Sequence, residues 1–143
     1  MITNSHGMTL TEVLVAVFII TIGLTAVATG MQLATVGINL GQQESTATFL
    51  AEEKLEDIKA FALSGLGTQG WANVTSANFP AEAYGSITIN GMSYGRYRRI
   101  TTITTPTATQ KVIVVNVFYT PGAVSSNANA ERQVALSTVL TSR

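Results

Sequence analysis

Hydrophobic and polar positions divide the chain into an apolar stretch and a more polar remainder. No charged residue occurs from Val13 to Gln43, and the positions from Val13 to Ile38 are almost all apolar, small or Thr. A helix needs about 20 apolar residues to cross the hydrocarbon core of a bilayer, and this stretch is longer. We therefore predict an anchor near the N-terminus, followed by a water-facing domain.

The helical pattern continues beyond Gln42, where only one face stays apolar. Charged side chains fill the gaps, and no Pro occurs before Pro80. The first strong helix stop is the Gly65–Gly67 pair. We predict one helix from about Thr9 to about Leu63, roughly 80 Å long. The apolar residues of its second half recur at three- to five-residue steps: Phe49, Leu50, Leu55, Ile58, Phe61 and Ala62.

Short β-patterns follow the helix. Residues 64–84 have the composition of a loop, with Trp71 and Phe79 as anchors onto the domain. Alternating patterns predict strands over 86–90, 94–104, 111–119 and 132–140, and Asn90-Gly91 predicts a hairpin turn. Three or four antiparallel strands against one helix define an α+β fold class, with a long N-terminal helix packed on a small antiparallel sheet.

Composition excludes several kinds of chemistry. The chain has 143 residues, 11% of them charged, with eight basic and eight acidic residues, one His and no Cys. These counts exclude disulfides, thiol catalysis and Cys- or multi-His metal sites. The net charge of zero gives no electrostatic basis for binding nucleic acid. No base accompanies the Ser and Thr residues for nucleophile activation, so we predict no enzyme, metal or cofactor.

Two charged clusters could indicate binding sites. The acidic cluster could be a Ca²⁺ site, but a solvated helical face is the simpler interpretation; it comprises Glu52, Glu53, Glu56 and Asp57. The basic–aromatic cluster could bind DNA or a surface, but strand packing with alternating exposed Arg is the default; it comprises Tyr94, Arg96, Tyr97, Arg98 and Arg99.

Small residues recur every seven positions in the apolar stretch, at Ala16, Gly23, Gly30 and Gly37. A heptad step drifts only about 20° around a straight helix, so they line one slowly turning groove. Such a groove lets another helix approach closely. The alternative is that glycine is simply frequent in membrane helices.

The segment from Gly7 to Glu12, G-M-T-L-T-E, precedes the apolar stretch. It resembles the class III signal of type IV prepilins and pseudopilins, and later stretches of the chain look like their minor subunits. The resemblance implies the type IV pilin fold and cleavage of the Gly7–Met8 bond by a prepilin peptidase. Met8 would become the N-methylated N-terminus. The leader differs from the usual form in having no Lys or Arg.

The same resemblance implies an organisation and a set of partners. Residues 1–7 would be a leader, 8–43 a transmembrane and fibre-core helix, and 44–143 a head domain outside the cytoplasm. The subunit would wait in the inner-membrane lipid and then join other pilin subunits at an assembly platform. The result would be a pilus or a periplasmic pseudopilus.

Glu12 opens the apolar run with no cation nearby in sequence. A carboxylate at the edge of a bilayer is costly unless it is partnered. The amine freed at Met8 is the natural counter-charge, within one chain or between neighbours, where the pair would set register. The alternative is a water-facing acid near a helix N-terminus, where negative charge is favoured.

Two other interpretations of the N-terminal segment are possible. Ala26-Val27-Ala28 after an apolar run fits a secretory signal peptide cut after Ala28. The n-region has no positive charge, however, and the apolar pattern continues to Ile38. The other is an uncleaved single-pass anchor carrying a periplasmic binding or adhesin domain.

Overall fold

The computed structural model describes residues 8–64, 69–121 and 131–142. The predicted leader, including His6 and Gly7, lies outside these residues. The long helix is confirmed: α1 runs over Leu10–Ser64, 55 residues without a break. The chain divides into two compact units, Met1–Ile38 and Asn39–Arg143, and α1 contributes to both.

The second unit contains a strand in each of the four ranges predicted from the alternating patterns, and one short strand, Met92–Ser93, that was not predicted. A short 3₁₀ helix at Trp71–Asn73 follows α1. The strands of the described residues are β1 (Thr88–Ile89), β2 (Met92–Ser93), β3 (Tyr97–Thr107), β4 (Gln110–Tyr119) and β5 (Arg132–Thr141). β1 and β2 form an antiparallel hairpin, and β3, β4 and β5 form an antiparallel sheet in that order. The predicted α+β class, an arrangement like the pilin fold, is confirmed.

The hairpin turn lies where the sequence predicts it. Asn90 and Gly91 both have positive φ angles, 50° and 79°. A two-residue turn with both φ angles positive matches the right-handed twist of the flanking strands. Asn and Gly tolerate this left-handed conformation better than other residues, so the dipeptide fixes the pairing of β1 with β2.

The core of the second unit forms where α1 meets the inner face of the sheet. Ile113, Val115 and Val117 of β4 are fully buried. The helix residues of this core are Ala47, Leu50, Ala51, Leu55 and Ile58. Phe79 is buried with its ring edge-on to Phe61, 5.1 Å between centroids, which confirms it as an anchor of the loop.

The placement of Phe49 on the apolar stripe was wrong. Its side chain is 48% exposed. At about 100° per residue, Phe49 lies nearly opposite the buried Ile58 around the helix, and Ala47 and Ala51 complete the stripe instead. Two alanines let the helix approach the sheet closely. Because alanine is small and only weakly hydrophobic, the sequence pattern does not mark these positions as core residues.

A buried arginine joins α1, the loop and the sheet. Arg99 is 3% exposed, which corrects the expectation of exposed alternating arginines. Its guanidinium donates to Glu82 at 2.5 Å, to Glu53 at 2.7 Å and to the Leu50 carbonyl at 2.7 Å. Burial alone would raise the pKa of Glu82, but Arg99 and Lys54 outweigh it and hold that pKa below its ordinary value.

Glu53 is therefore part of a half-buried ion-pair cluster around Arg99. The reading of the acidic cluster as a wholly solvated face was wrong at this position, because Glu53 is the residue that faces Arg99. A carboxylate on a mostly exposed helix gave no sign of this in the sequence, since its partner lies 46 residues further along the chain.

The adjacent Arg98 lies on the outer face of the sheet. It forms a two-pronged ion pair with Glu131, at 2.6 and 2.7 Å, and its guanidinium lies 4.1 Å from the centre of the Phe118 ring. The Tyr84 hydroxyl also donates to Glu131, at 2.6 Å. Hydrogen bonds from Arg98 and then Tyr84 lower the pKa of Glu131 to about 2.

Lys111 is the second buried cation of the sheet. Its ammonium group donates to the Trp71 and Val74 carbonyls, both at 2.7 Å, and lies 5.2 Å from the Trp71 ring centre. Burial lowers the pKa of Lys111. These contacts tie the 3₁₀ helix to β4 and confirm Trp71 as the other anchor of the loop.

Replacing Arg99 by Met should lower the free energy of unfolding by about 3 kcal/mol, because Glu53 is then left half-buried without its counter-charge and Glu82 keeps only Lys54 as a partner. Denaturant unfolding of the purified protein in detergent measures this. Arg96→Met is the matched control, since Arg96 is exposed, and it should change stability by less than about 0.5 kcal/mol. Equal stability of the two variants would contradict the role given to Arg99.

The Glu131 ion pair should make stability depend on pH. Because its pKa lies at about 2 rather than 4.5, its contribution is complete above pH 4.5 and is lost as the pH falls from 4.5 through 2. Arg98→Gln should return that pKa towards 4.5 in an NMR titration of the side-chain carboxyl and flatten the stability change over this window. Arg96→Gln should leave both unchanged; a Glu131 pKa indifferent to Arg98→Gln would refute the assignment.

Candidate functional site

The start of α1 carries the side chains that the sequence singled out. Leu10 begins the helix, and Thr9 and Glu12 bond reciprocally across its first turn. The Thr9 amide donates to the Glu12 carboxylate at 2.8 Å and the Thr9 hydroxyl donates at 3.0 Å, while the Glu12 amide donates to the Thr9 hydroxyl at 3.3 Å. This is a capping box, in which two free amides at the helix end are satisfied.

Thr9 is a residue that the sequence reasoning missed. Thr9-Leu10-Thr11-Glu12 fits the Ser/Thr-x-x-Glu capping signature, which is the local signal that identifies Thr9. Thr9 gives the Glu12 carboxylate hydrogen-bond donors within its own chain. Those donors carry no charge, and Glu12 forms no ion pair with any residue that the structure describes.

The surface of the helix beyond Glu12 is apolar and uncovered. An 18-residue window of α1 has a mean hydropathy of 2.4, and none of it is buried. Large side chains on all sides are more than half exposed, including Phe18, Ile20 and Leu24. A helix of this length and composition suggests a single membrane span.

Threonine hydroxyls in the apolar stretch are satisfied within the helix. Thr21, Thr25 and Thr35 each donate to the carbonyl four residues earlier, at 2.7 to 2.9 Å, and Thr29 does so at 3.1 Å. In lipid, where no water accepts a hydrogen bond, this arrangement removes the cost of a bare hydroxyl. The threonines therefore leave the stretch suited to an apolar environment.

The predicted groove of small residues lies along this same stretch. A methyl group added at Gly23, Gly30 or Gly37 would meet no atom within 4 Å. Nothing else in the described residues therefore requires glycine there. That Ala16 and these three glycines form a packing seam stays a prediction, as do the roles of Gly7 and Met8 in processing and of Glu12 in assembly.

The basic–aromatic cluster does not form one basic surface. Arg99 is buried with Glu53 and Glu82, Arg98 is neutralised by Glu131, and Arg96 alone of the three is exposed. In the part of the chain that the structure describes, no group of three or more His, Cys, Asp or Glu side chains could hold a metal ion. The start of α1 is therefore the candidate functional site.

A capped helix with an exposed apolar stretch, followed by a small α+β domain, suggests a protein anchored in a membrane by a single span. Residues 2–28 match the family model of the prokaryotic N-terminal methylation motif. No curated protein and no solved structure matches the chain. The chain therefore carries a class III signal followed by a long apolar helix, which is consistent with a type IV pilin-like protein.

The motif has direct consequences for processing. A pilin-type signal implies cleavage by prepilin peptidase and assembly with other pilin subunits. It supports a pilin- or pseudopilin-like substrate of that peptidase.

Proposed function

We propose that the chain is a structural subunit of a type IV pilus or of a related secretion or DNA-uptake pseudopilus, in the role of a minor subunit. Prepilin peptidase cuts the Gly7–Met8 bond, and Met8 becomes the methylated N-terminus. The head domain lies outside the cytoplasm. The apolar helix first holds the subunit in the inner membrane and later packs against other subunits.

The observation that carries this proposal is the methylation motif at residues 2–28. The helix that contains the end of this motif has an apolar surface that the described residues leave exposed. The apolar stretch from Val13 to Ile38 is longer than the roughly 20 residues that a bilayer needs. The excess apolar surface calls for a second apolar environment, and neighbouring helices in a fibre core supply one. The open space at Gly23, Gly30 and Gly37 leaves room for such neighbours.

Glu12 has two tasks in this scheme. Before assembly, the Thr9 amide and hydroxyl satisfy hydrogen bonds of its carboxylate at the membrane edge. During assembly, the positive amine at Met8 of a neighbouring subunit gives the carboxylate its counter-charge. In a low-dielectric fibre core such a pair is strongly attractive, so it fixes the depth at which a subunit enters.

Gly7→Val should block processing, because a side chain before the cut would not fit a peptidase that requires glycine. Mass spectrometry of the purified protein should then find the chain intact from Met1, heavier than the processed chain by residues 1–7. His6→Val, one position earlier, is the control and should leave cleavage normal. Cleavage after residue 7 in the Gly7→Val protein would show that the motif is not used.

Glu12→Ala should leave processing intact but impair incorporation into a fibre, because the incoming helix loses its charge partner. Glu12→Gln separates charge from capping, since a glutamine still serves in a capping box but carries no charge. Both variants should be depleted from purified fibres relative to Glu44→Ala, which removes an exposed acid at the other end of the charge-free stretch. Normal incorporation of Glu12→Gln would rule out the charge pairing.

A further inference from the structure

β5 is an edge strand with one free side. It pairs with β4 over its whole length in one continuous register, and the sheet order β3-β4-β5 gives it no second neighbour among the described strands. The Ser142 amide donates to the Thr109 carbonyl, just before β4, at 2.8 Å. Bonded and non-bonded pairs alternate in an antiparallel ladder. The residues of β5 that bond to β4 are therefore those with even numbers.

The odd-numbered residues of β5 direct their amides and carbonyls away from the sheet. Within residues 8–64, 69–121 and 131–142, no group bonds to these amides and carbonyls, and all five residues are exposed. A row of unpaired backbone groups is a template for another extended chain. We call these residues the free edge: Gln133, Ala135, Ser137, Val139 and Thr141.

The opposite edge of the same sheet is protected. Glu82 exchanges two backbone hydrogen bonds with Arg99, at 2.8 and 2.9 Å. The Ile103 amide donates to the Ser76 hydroxyl at 3.4 Å, and a Pro and a shift of register follow near the end of β3. Proteins protect sheet edges by such covers, prolines, bulges and charges. β5 has no Pro, no shift of register and no charge from Gln133 to Ser142, so it is the edge suited to pairing.

The side chains of β5 that face α1 are only partly covered. Val134, Leu136 and Leu140 pack against the core but are partly exposed. By contrast, Val117 and Val115, their neighbours on β4, are fully buried. One further strand with apolar side chains on this side would complete the core at the edge of the sheet.

We propose that the free edge accepts an extended segment of a different pilin-type subunit as a further strand of the sheet. This inference rests on the proposed function, in which a minor subunit has other subunits as its neighbours. Unpaired amides and carbonyls select an extended backbone, and the partly covered row selects apolar side chains at alternate positions. Arg132 begins that row, opposite Tyr119, and is exposed. The segment therefore carries an acid where it passes Arg132 and is otherwise uncharged on that side.

A second copy does not fit the free edge. Antiparallel pairing of β5 with the β5 of another copy requires a two-fold axis perpendicular to the sheet, and this axis reverses the direction of the α1 segment packed on the sheet. Copies anchored by α1 in one membrane have their helices in the same direction, so the proposed function opposes this pairing. The β3 edge of another copy is not free, because Glu82 already bonds to it.

Photo-cross-linking tests the contact. The full-length protein would carry benzoylphenylalanine in place of Ser137, in cells that assemble the fibre, and products from membranes and fibres would be identified by peptide mass spectrometry. We expect a link to a different protein with its own N-terminal methylation motif, through a segment of alternating apolar residues. Thr102 is the matched control, since it lies in the same row of the outer face, beside β4 on the opposite edge. It should give no such product above background.

Every other outcome of the cross-linking contradicts the proposal. Absence of a product at Ser137, or an equal yield from Thr102, would show that no segment docks at the free edge. A dimer of this chain would make a second copy the occupant, and a link within one chain would show that its own residues cover the edge. A product with a protein that lacks the motif would exclude a pilin-type partner.

A proline at the free edge gives a second measurement. Ser137→Pro removes one outward amide and places a ring where the added strand would lie, but it spares the bonds to β4, because the Ser137 amide does not point at β4. Its amount in fibres should fall about tenfold relative to wild type, whereas Ser137→Ala should stay within about twofold. Wild-type amounts of the proline variant would refute the docking. If circular dichroism shows that the proline unfolds the sheet, the cross-link alone decides.

The two proposals fail separately. If wild-type protein is processed but absent from purified fibres, the proposed function is wrong, and the cross-link in membranes still decides whether the free edge is occupied. If wild-type protein is present in fibres but Ser137 gives no link to another subunit, the function stands and the docking is wrong.

Discussion

An apolar helix surface that the described residues leave exposed is the main physical constraint on this protein. From Val13 to Gln43 the chain has no charge, and the window of highest hydropathy has no buried residue. Water is a poor solvent for such a surface, at about 25 cal/mol for each Å² of apolar area exposed. Such a surface therefore suggests that this part of the helix is anchored in a membrane. The internally bonded threonines and the capped start at Thr9 and Glu12 leave few polar groups in the helix that need water.

The second unit meets a different constraint, because its half of α1 must hold a sheet in water. Apolar packing supplies most of the contact, through the alanines, leucines and Ile58 of the helix. Arg99 adds specificity, since its two carboxylates and the Leu50 carbonyl come from α1 and from the loop before β1. One guanidinium thus fixes the position of the helix, the loop and β3 together. Apart from Glu12, every Asp, Glu, Lys and Arg of the chain lies beyond Gln43, and Arg99, Glu53 and Glu82 form these contacts.

Patterns that repeat along the chain were readable from the sequence, and contacts between distant residues were not. The end of α1 at Ser64 and the Asn90–Gly91 turn follow from local preferences, and the strands β4 and β5 follow from alternation. The burial of Arg99 depends on Glu53 and Glu82, which lie 46 and 17 residues away, so no local pattern reveals it. The prediction for Phe49 was wrong because hydrophobicity alone does not determine which face of a helix packs on a sheet. Thr9 was within reach of sequence reasoning, since the capping signature is local.

The central claim is that residues 1–7 are a leader removed by a prepilin peptidase and that the apolar helix behind them is retained. Intact mass and N-terminal sequencing of the wild-type protein purified from membranes test this most directly. A mature chain that begins at Met8, with the added mass of a methyl group on its amine, is the predicted result. A chain that still begins at Met1, or one that begins at Thr29 after signal-peptide cleavage, would contradict it.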